Sequence, residues 1–267
     1  MSVLEAVGGG LIGQLAYIGG LTRQLCSSLG ALPRLLPFVG RRGRWRSAIK
    51  QMAAIGVDAL PMVAIVAACG GSILAIQSAS ELSHFGAMRL VIDIVVIAFT
   101  RELGPLVTAI VVSGRSGSAF SAEIGTMVVT KEIDALRTMA IDPIELVLAP
   151  KYLASMIVVP CLNIASNVFG IVAGAAFMYL RVNMSLPMYL RYAAGAVRLS
   201  DLLVGQVKSL VFATIIVHVG CMEGFRVRGG PEAVGKSATS AVVKSTLLVI
   251  FADLFITAIF YMLGMGA

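Results

Sequence analysis

Of 267 residues, 58% are hydrophobic and only 13% charged, whereas a soluble domain carries roughly a quarter charged residues. This composition excludes an ordinary water-soluble globule. A hydrocarbon core of about 30 Å needs about 20 helical residues per crossing, so the chain has room for several crossings and little else. The net charge of +7 is distributed between apolar runs rather than gathered on an aromatic-rich basic face, which argues against nucleic acid and for a membrane surface.

In chain order, residues 1–45 come first. Residues 1–38 of this segment are apolar but dotted with Gly8, Gly9, Gly10, Gly13, Gly19 and Gly20, and end in Pro33 and Pro37. Such a composition disfavours a stable span and predicts an interfacial segment instead. Gly8, Gly10 and Gly13 match the dinucleotide-binding pattern, yet no strand or βαβ unit surrounds them, so the match is read as chance. Arg41 to Arg46, with Trp45 among them, look like a cytoplasmic anchor before the first span.

Two stretches, Ala59 to Ser80 and Tyr152 to Leu180, contain no charge and are long enough to cross a bilayer. Three more are apolar but interrupted: 86–113 by Asp93, Arg101 and Glu102, 202–224 by Lys208, His218 and Glu223, and 245–265 by Asp253. Ionisable groups inside a span face protein or a cavity rather than lipid, so these too are expected to cross. The expectation is one all-α membrane domain over 1–267. Its spans are 51–80, 86–113, 151–180, 202–224 and 245–265, with an interfacial segment at 1–45 and a cytoplasmic segment at 114–150. Lys and Arg concentrate before the first span, between the second and third (Arg115, Lys131, Arg137, Lys151) and between the fourth and fifth (Arg226, Arg228, Lys236, Lys244). The positive-inside rule therefore predicts a cytoplasmic N-terminus. Gly170 and Gly174, four apart, mark a face that another helix can approach closely, a packing role that is also functional if that helix belongs to a second copy of the chain.

The connection 114–150 is longer than a simple turn requires. Within it Thr130 to Met139 predicts a short amphipathic helix: Ile133, Leu136 and Met139 recur three apart, Glu132 and Asp134 lie near its start, and Arg137 near its end. Asp142 and Pro143 then end it. Such a helix lies on lipid headgroups or docks into a partner's groove. In the second span, Arg101 and Glu102 are adjacent and point about 100° apart on a helix, so each needs its own partner. Pro105 withholds an amide from the carbonyl of Arg101, which lets the helix bend there.

Several patterns mislead. Residues 230–237 (GPEAVGKS) match the Walker A loop, but that loop needs a preceding strand, and here a span precedes. Asn183-Met184-Ser185 is a glycosylation sequon. The four cysteines, Cys26, Cys69, Cys161 and Cys221, form no CxxC, and His84 and His218 belong to no HExxH. No catalytic residue, metal site or cofactor is expected.

The runs 101–105 (RELGP), 114–119 (GRSGSA), 122–127 (AEIGTM), 132–136 (EIDAL) and 139–143 (MAIDP) together resemble the MlaE/YrbE family of ABC permeases associated with MCE proteins. The likeness is densest from about 96 to 160 and covers essentially the whole chain in length and span order. It implies a homodimeric, multi-pass permease of the bacterial inner membrane with five spans, an interfacial N-terminal helix and a cytoplasmic coupling helix. ATP would be bound by a separate ABC ATPase subunit. A STAS-domain protein and a periplasmic MCE hexamer would complete a system that moves phospholipids and maintains outer-membrane lipid asymmetry. The resemblance carries a coupling helix onto Glu123 to Met139, making Glu123, Glu132, Asp134, Leu136 and Arg137 candidate ATPase contacts. It carries an outward-facing lipid cavity onto Leu74, Gln77, Glu102 and Leu103, with Arg101 beside it. The alternative is an ion-coupled secondary transporter or a membrane scaffold, but the internal repeat common in such transporters is not visible.

Overall fold

The computed structural model describes residues 17, 19–27, 30, 42–182 and 184–264. Among them there is no strand. The helices are α1 (Arg42–Gly56), α2 (Leu60–Ser83), α3 (Met88–Ala98), α4 (Gly104–Val112), α5 (Ser118–Val129), α6 (Glu132–Thr138), α7 (Ala149–Val182), α8 (Leu186–Ala196), α9 (Leu199–Phe225) and α10 (Pro231–Met262). Three π-helical segments, Phe99–Leu103, Ser113–Gly117 and Ile144–Leu148, are spliced between them. Residues 19–27 are also helical. The rest of the expected interfacial segment, including the Gly8 to Gly13 pattern, lies largely outside the described residues, as does Asn183 of the sequon.

Among the described residues, five helical runs are long and apolar enough to cross a membrane: Ile49–Ser83, Met88–Val129, Ile144–Arg181, Leu199–Phe225 and Pro231–Met262. The chain is thus an all-α, multi-pass membrane protein. The second run continues well beyond residue 113, and the fifth begins at Pro231, so polar residues that the sequence placed in connections are wound into helix. The Walker-like stretch is one case: Gly235, Lys236 and Ser237 sit inside α10, where Lys236 pairs with Glu232 at 2.8 Å.

The described chain forms two compact units. One comprises residues within Met1–Gln51, Gly117–Ala154 and Val217–Ser245, the other Met52–Ser116, Ser155–Ile216 and Thr246–Ala267. In the second unit, Ala75, Ala79, Val91, Ile92, Val95, Val96, Ala175, Met178, Tyr189 and Ala193 make a buried cluster from α2, α3, α7 and α8. Glycine makes this packing possible. A Cβ on Gly71 would strike the backbone of Gly170, and one on Gly170 would strike the ring of Phe99. The close neighbours of Gly170 and Gly174 thus belong to the same chain, the close helix packing that these small residues imply.

Candidate functional site

The second unit holds a network of charges within membrane-length helices. Its origin is the π segment Phe99–Leu103. Pro105 has no amide hydrogen, and the Gly104 N–H donates back to the Phe99 carbonyl, five residues earlier. The Thr100 hydroxyl donates to the Val96 carbonyl, taking up another acceptor of the widened turn. Asn167 of α7 lies so near Gly104 that any side chain there would collide with it, and Gly205 of α9 is held equally close to the Thr100 carbonyl. The second span is therefore pinned on both sides where its charges sit.

Arg101 and Glu102 have separate partners, as their angular separation requires. Arg101 faces Asp201 at 3.6 Å. Glu102 pairs with Lys208, whose side chain is fully buried. Lys208 also reaches Asp253 at 2.8 Å and donates to the Thr257 hydroxyl at 2.8 Å. Thr257 in turn lies 3.4 Å from Glu102. One ammonium thus binds two carboxylates and a hydroxyl, which is how a buried charge is made tolerable. Glu102 remains about a third exposed while Lys208 is sealed, so the accessible group of the cluster is a carboxylate. Of the other expected cavity residues, Leu103 is half-buried beside Glu102 in sequence, Leu74 packs against the buried cluster of α2, α3, α7 and α8, and Gln77 is exposed on α2. Sequence reasoning recognised Lys208 and Asp253 as span charges needing shelter but did not pair them with Glu102, and it passed over Asp201 and Thr257. The available signal was chemical: the carboxylates in the second and fifth spans require a cation, and the fourth supplies one.

The proposed coupling residues fall on two elements, not one. Glu123 lies on α5, where its carboxylate binds the buried ammonium of Lys151 at 2.5 Å. Lys151 also stands 5.2 Å from the centre of the Phe120 ring. The helix stops at Val129, and Lys131 adopts a left-handed conformation with φ of 66°. The expected single helix from Glu123 to Met139 is broken there. The short helix α6 then runs from Glu132 to Thr138 rather than from Thr130 to Met139, anchored by buried Ile133. Glu132, Asp134 and Arg137 are exposed and Leu136 is half-buried. Asp134 bridges Lys131 at 3.4 Å and Arg137 at 3.8 Å.

Asp142 and Pro143 do not stop α6. Ala140 does, with φ of 56°. Its amide donates to the Arg137 carbonyl and that of Ile141 to the Leu136 carbonyl, the pairing of a Schellman cap. Asp142 opens the next helical run instead, its carboxylate accepting the Ile144 amide at 2.9 Å, with Pro143 in the first helical position.

A second polar cluster lies in the first unit. Nearly buried Glu223 takes both carboxylate oxygens to Lys244, at 3.0 and 2.9 Å, and accepts from Ser240 at 2.7 Å. Lys244 and Arg226 stand over the Tyr17 ring at 4.8 and 5.1 Å. Burial and the Glu223 carboxylate push the Tyr17 phenol well above its ordinary range.

Among the described residues, five apolar helical runs, charges paired inside them and a short exposed helix between two of them mark a multi-pass membrane protein with a polar interior. Residues 48–259 match the model of the family described as Permease MlaE. The chain is 36% identical over 213 residues to a probable ABC transporter permease protein of Rickettsia typhi, covering 80% of this chain and 82% of the relative. It is 35% identical over 218 residues to a probable ABC transporter permease protein of Synechocystis, covering 82% of each. Protein TRIGALACTOSYLDIACYLGLYCEROL 1, chloroplastic, of Arabidopsis thaliana is 34% identical over 222 residues, covering 83% of this chain and 63% of the relative. The chain belongs to the MlaE family of ABC transporter permeases, and so works with an ATPase subunit.

Proposed function

We propose that this permease moves phospholipids between the inner membrane of a bacterium and a periplasmic MCE carrier, and that it thereby maintains outer-membrane lipid asymmetry. It acts as a homodimer with two copies of a separate ATPase, which bind the ATP, and with a STAS-domain protein. The observation that carries this reading is the Glu102–Lys208–Asp253 cluster. A polar group inside membrane-length helices is costly and marks a substrate path, and a half-open carboxylate backed by a sealed cation suits a cargo with a polar head and apolar tails. Leu74, Gln77, Arg101 and Leu103 complete the proposed cavity. The name of the Arabidopsis relative, which is that of a glycerolipid, adds support for lipid cargo.

Glu123, Glu132, Asp134, Leu136 and Arg137 are proposed to face the ATPase. The exposed charges of α6 on a buried Ile133 anchor support docking rather than burial in the membrane, and the basic connections favour a cytoplasmic position for this face. The test is reconstitution of the purified permease with its ATPase in vesicles containing a labelled phospholipid. Transfer to an MCE acceptor should require ATP. Replacing both Leu136 and Arg137 by alanine should abolish ATPase association while membrane insertion persists. Transfer that continues undiminished without ATP, or an ATPase that still binds the double variant normally, refutes the assignment.

A further inference from the structure

A pocket of about 500 Å³ in the first unit has no part in the charge network described above. Arg23 and Gln24 of the N-terminal helical residues line it, with Arg137 of α6, Asp142, and Phe225 and Arg226 at the end of α9. Three arginines therefore line one space, together with one carboxylate. That carboxylate is partly engaged, since one of its oxygens accepts the Ile144 amide. The Arg137 contact with Asp134 is long at 3.8 Å and largely exposed, so it neutralises little. Arg226 is steadied by the Tyr17 ring beneath it.

The second observation is Gln24. It is only 7% exposed, and its side-chain amide nitrogen is buried with no hydrogen-bond partner among the described residues. An unsatisfied buried donor is rare and costs free energy. Beside three arginines, an oxygen-rich anion is the ligand that would satisfy it.

The position selects the source of that anion. Arg226 follows the last residue of α9, whose 27 residues make about 40 Å at 1.5 Å each, the thickness of a bilayer with its headgroups. The pocket thus opens at headgroup level, on the side that the basic connections assign to the cytoplasm. We propose that it binds the phosphate of an anionic phospholipid of the cytoplasmic leaflet, at a site separate from the cargo path. The charge balance favours a phosphomonoester headgroup, which approaches two negative charges at neutral pH. A phosphodiester brings one, and a zwitterionic headgroup adds a cation that the arginines repel.

The experiment uses the full-length protein in mild detergent, titrated with dioctanoyl phosphatidic acid, dioctanoyl phosphatidylglycerol, dioctanoyl phosphatidylcholine and inorganic phosphate. Binding is read by native mass spectrometry and by the rise in unfolding temperature that a ligand of the folded state produces. Phosphatidic acid should bind about tenfold or more tightly than phosphatidylcholine, with phosphatidylglycerol between them. Arg23→Gln alters an exposed side chain and should weaken phosphatidic acid about tenfold without changing the unliganded protein. Gln24→Leu, close in shape, should weaken it as well while leaving the fold intact. Arg137 is left unaltered, so the outcome is independent of the ATPase assignment. Equal affinity for phosphatidic acid and phosphatidylcholine, or wild-type binding by an Arg23→Gln/Arg226→Gln variant, overturns the site. Competition by inorganic phosphate at the same concentration as the lipid overturns the lipid assignment.

Discussion

Lys208 is sealed from solvent and shared between Glu102 and Asp253, so removing the cation and removing one carboxylate are unequal changes. Lys208→Met leaves two carboxylates facing each other within the span, and breaking a buried pair by removing one partner costs about 3–5 kcal/mol. Glu102→Gln leaves Lys208 with Asp253 and the Thr257 hydroxyl, and Glu102 is already part-exposed, so its cost should be much smaller. Thermal unfolding in detergent should therefore rank wild type, Glu102→Gln and Lys208→Met in descending order. Tyr189 offers the opposite case. It is buried in the α2, α3, α7 and α8 cluster, its hydroxyl has no hydrogen-bond partner among the described residues, and burial pushes its phenol up to about 12 from 10. Because the folded state holds that proton more tightly than the unfolded chain, the stability it contributes is intact below pH 10 and is lost as pH rises to 12. Tyr189→Phe should leave stability at neutral pH unchanged or raise it by about 1 kcal/mol, and should abolish this alkaline loss. An unfolding series from pH 8 to 12 separates the two proteins. At this scale the sequence revealed which charges needed partners, since a lone ionisable residue in an apolar run is conspicuous. It did not reveal the pairing. That depends on the rotation of three helices, which the π segment at Phe99–Leu103 shifts in a way that no residue pattern announces.

Helix boundaries were legible wherever composition changes sharply, and the two charge-free spans are the clearest instances. They were misplaced where a local backbone device decides the matter. Lys131 and Ala140, both in the left-handed region, isolate α6 from its neighbours although neither is the glycine that usually marks such a turn. The amphipathic spacing of Ile133 and Leu136 was correct, while Met139 falls outside the helix and is 59% exposed. A residue with a Cβ in this conformation costs roughly 1–2 kcal/mol. Ala140→Gly should relieve most of that and tighten the cap. Hydrogen exchange at the Ile141 amide, which donates to Leu136, should slow in the variant, and unchanged or faster exchange would show that the strain lies elsewhere. The long polar extensions of the second and fifth helical runs were hidden for another reason. In them Ser121 pairs with Ser237 at 2.7 Å and Lys244 with Glu223 of the fourth run, so residues that read as loop from sequence are helix in the fold.

Across the whole molecule, five crossings and the all-helical class followed from composition and hydropathy alone, because a bilayer admits so few backbone solutions. The division into two units did not, since each is assembled from three separated stretches of chain. Both units depend on α10. It supplies Asp253 to the cation of the second span network and Lys244 to Glu223. A ribosome delivers these groups in order, so Lys208 leaves the exit tunnel and enters the membrane before Asp253 has been synthesised. During that interval the half-made protein carries Lys208 with an incomplete set of counter-ions and Glu223 with none from α10. Nascent chains halted before residue 231 should thus remain with the insertion machinery or be degraded, whereas those extended through residue 262 should be released. Pulse labelling with crosslinking to the insertase would measure that difference, and it would make quality control of this protein a wait for α10.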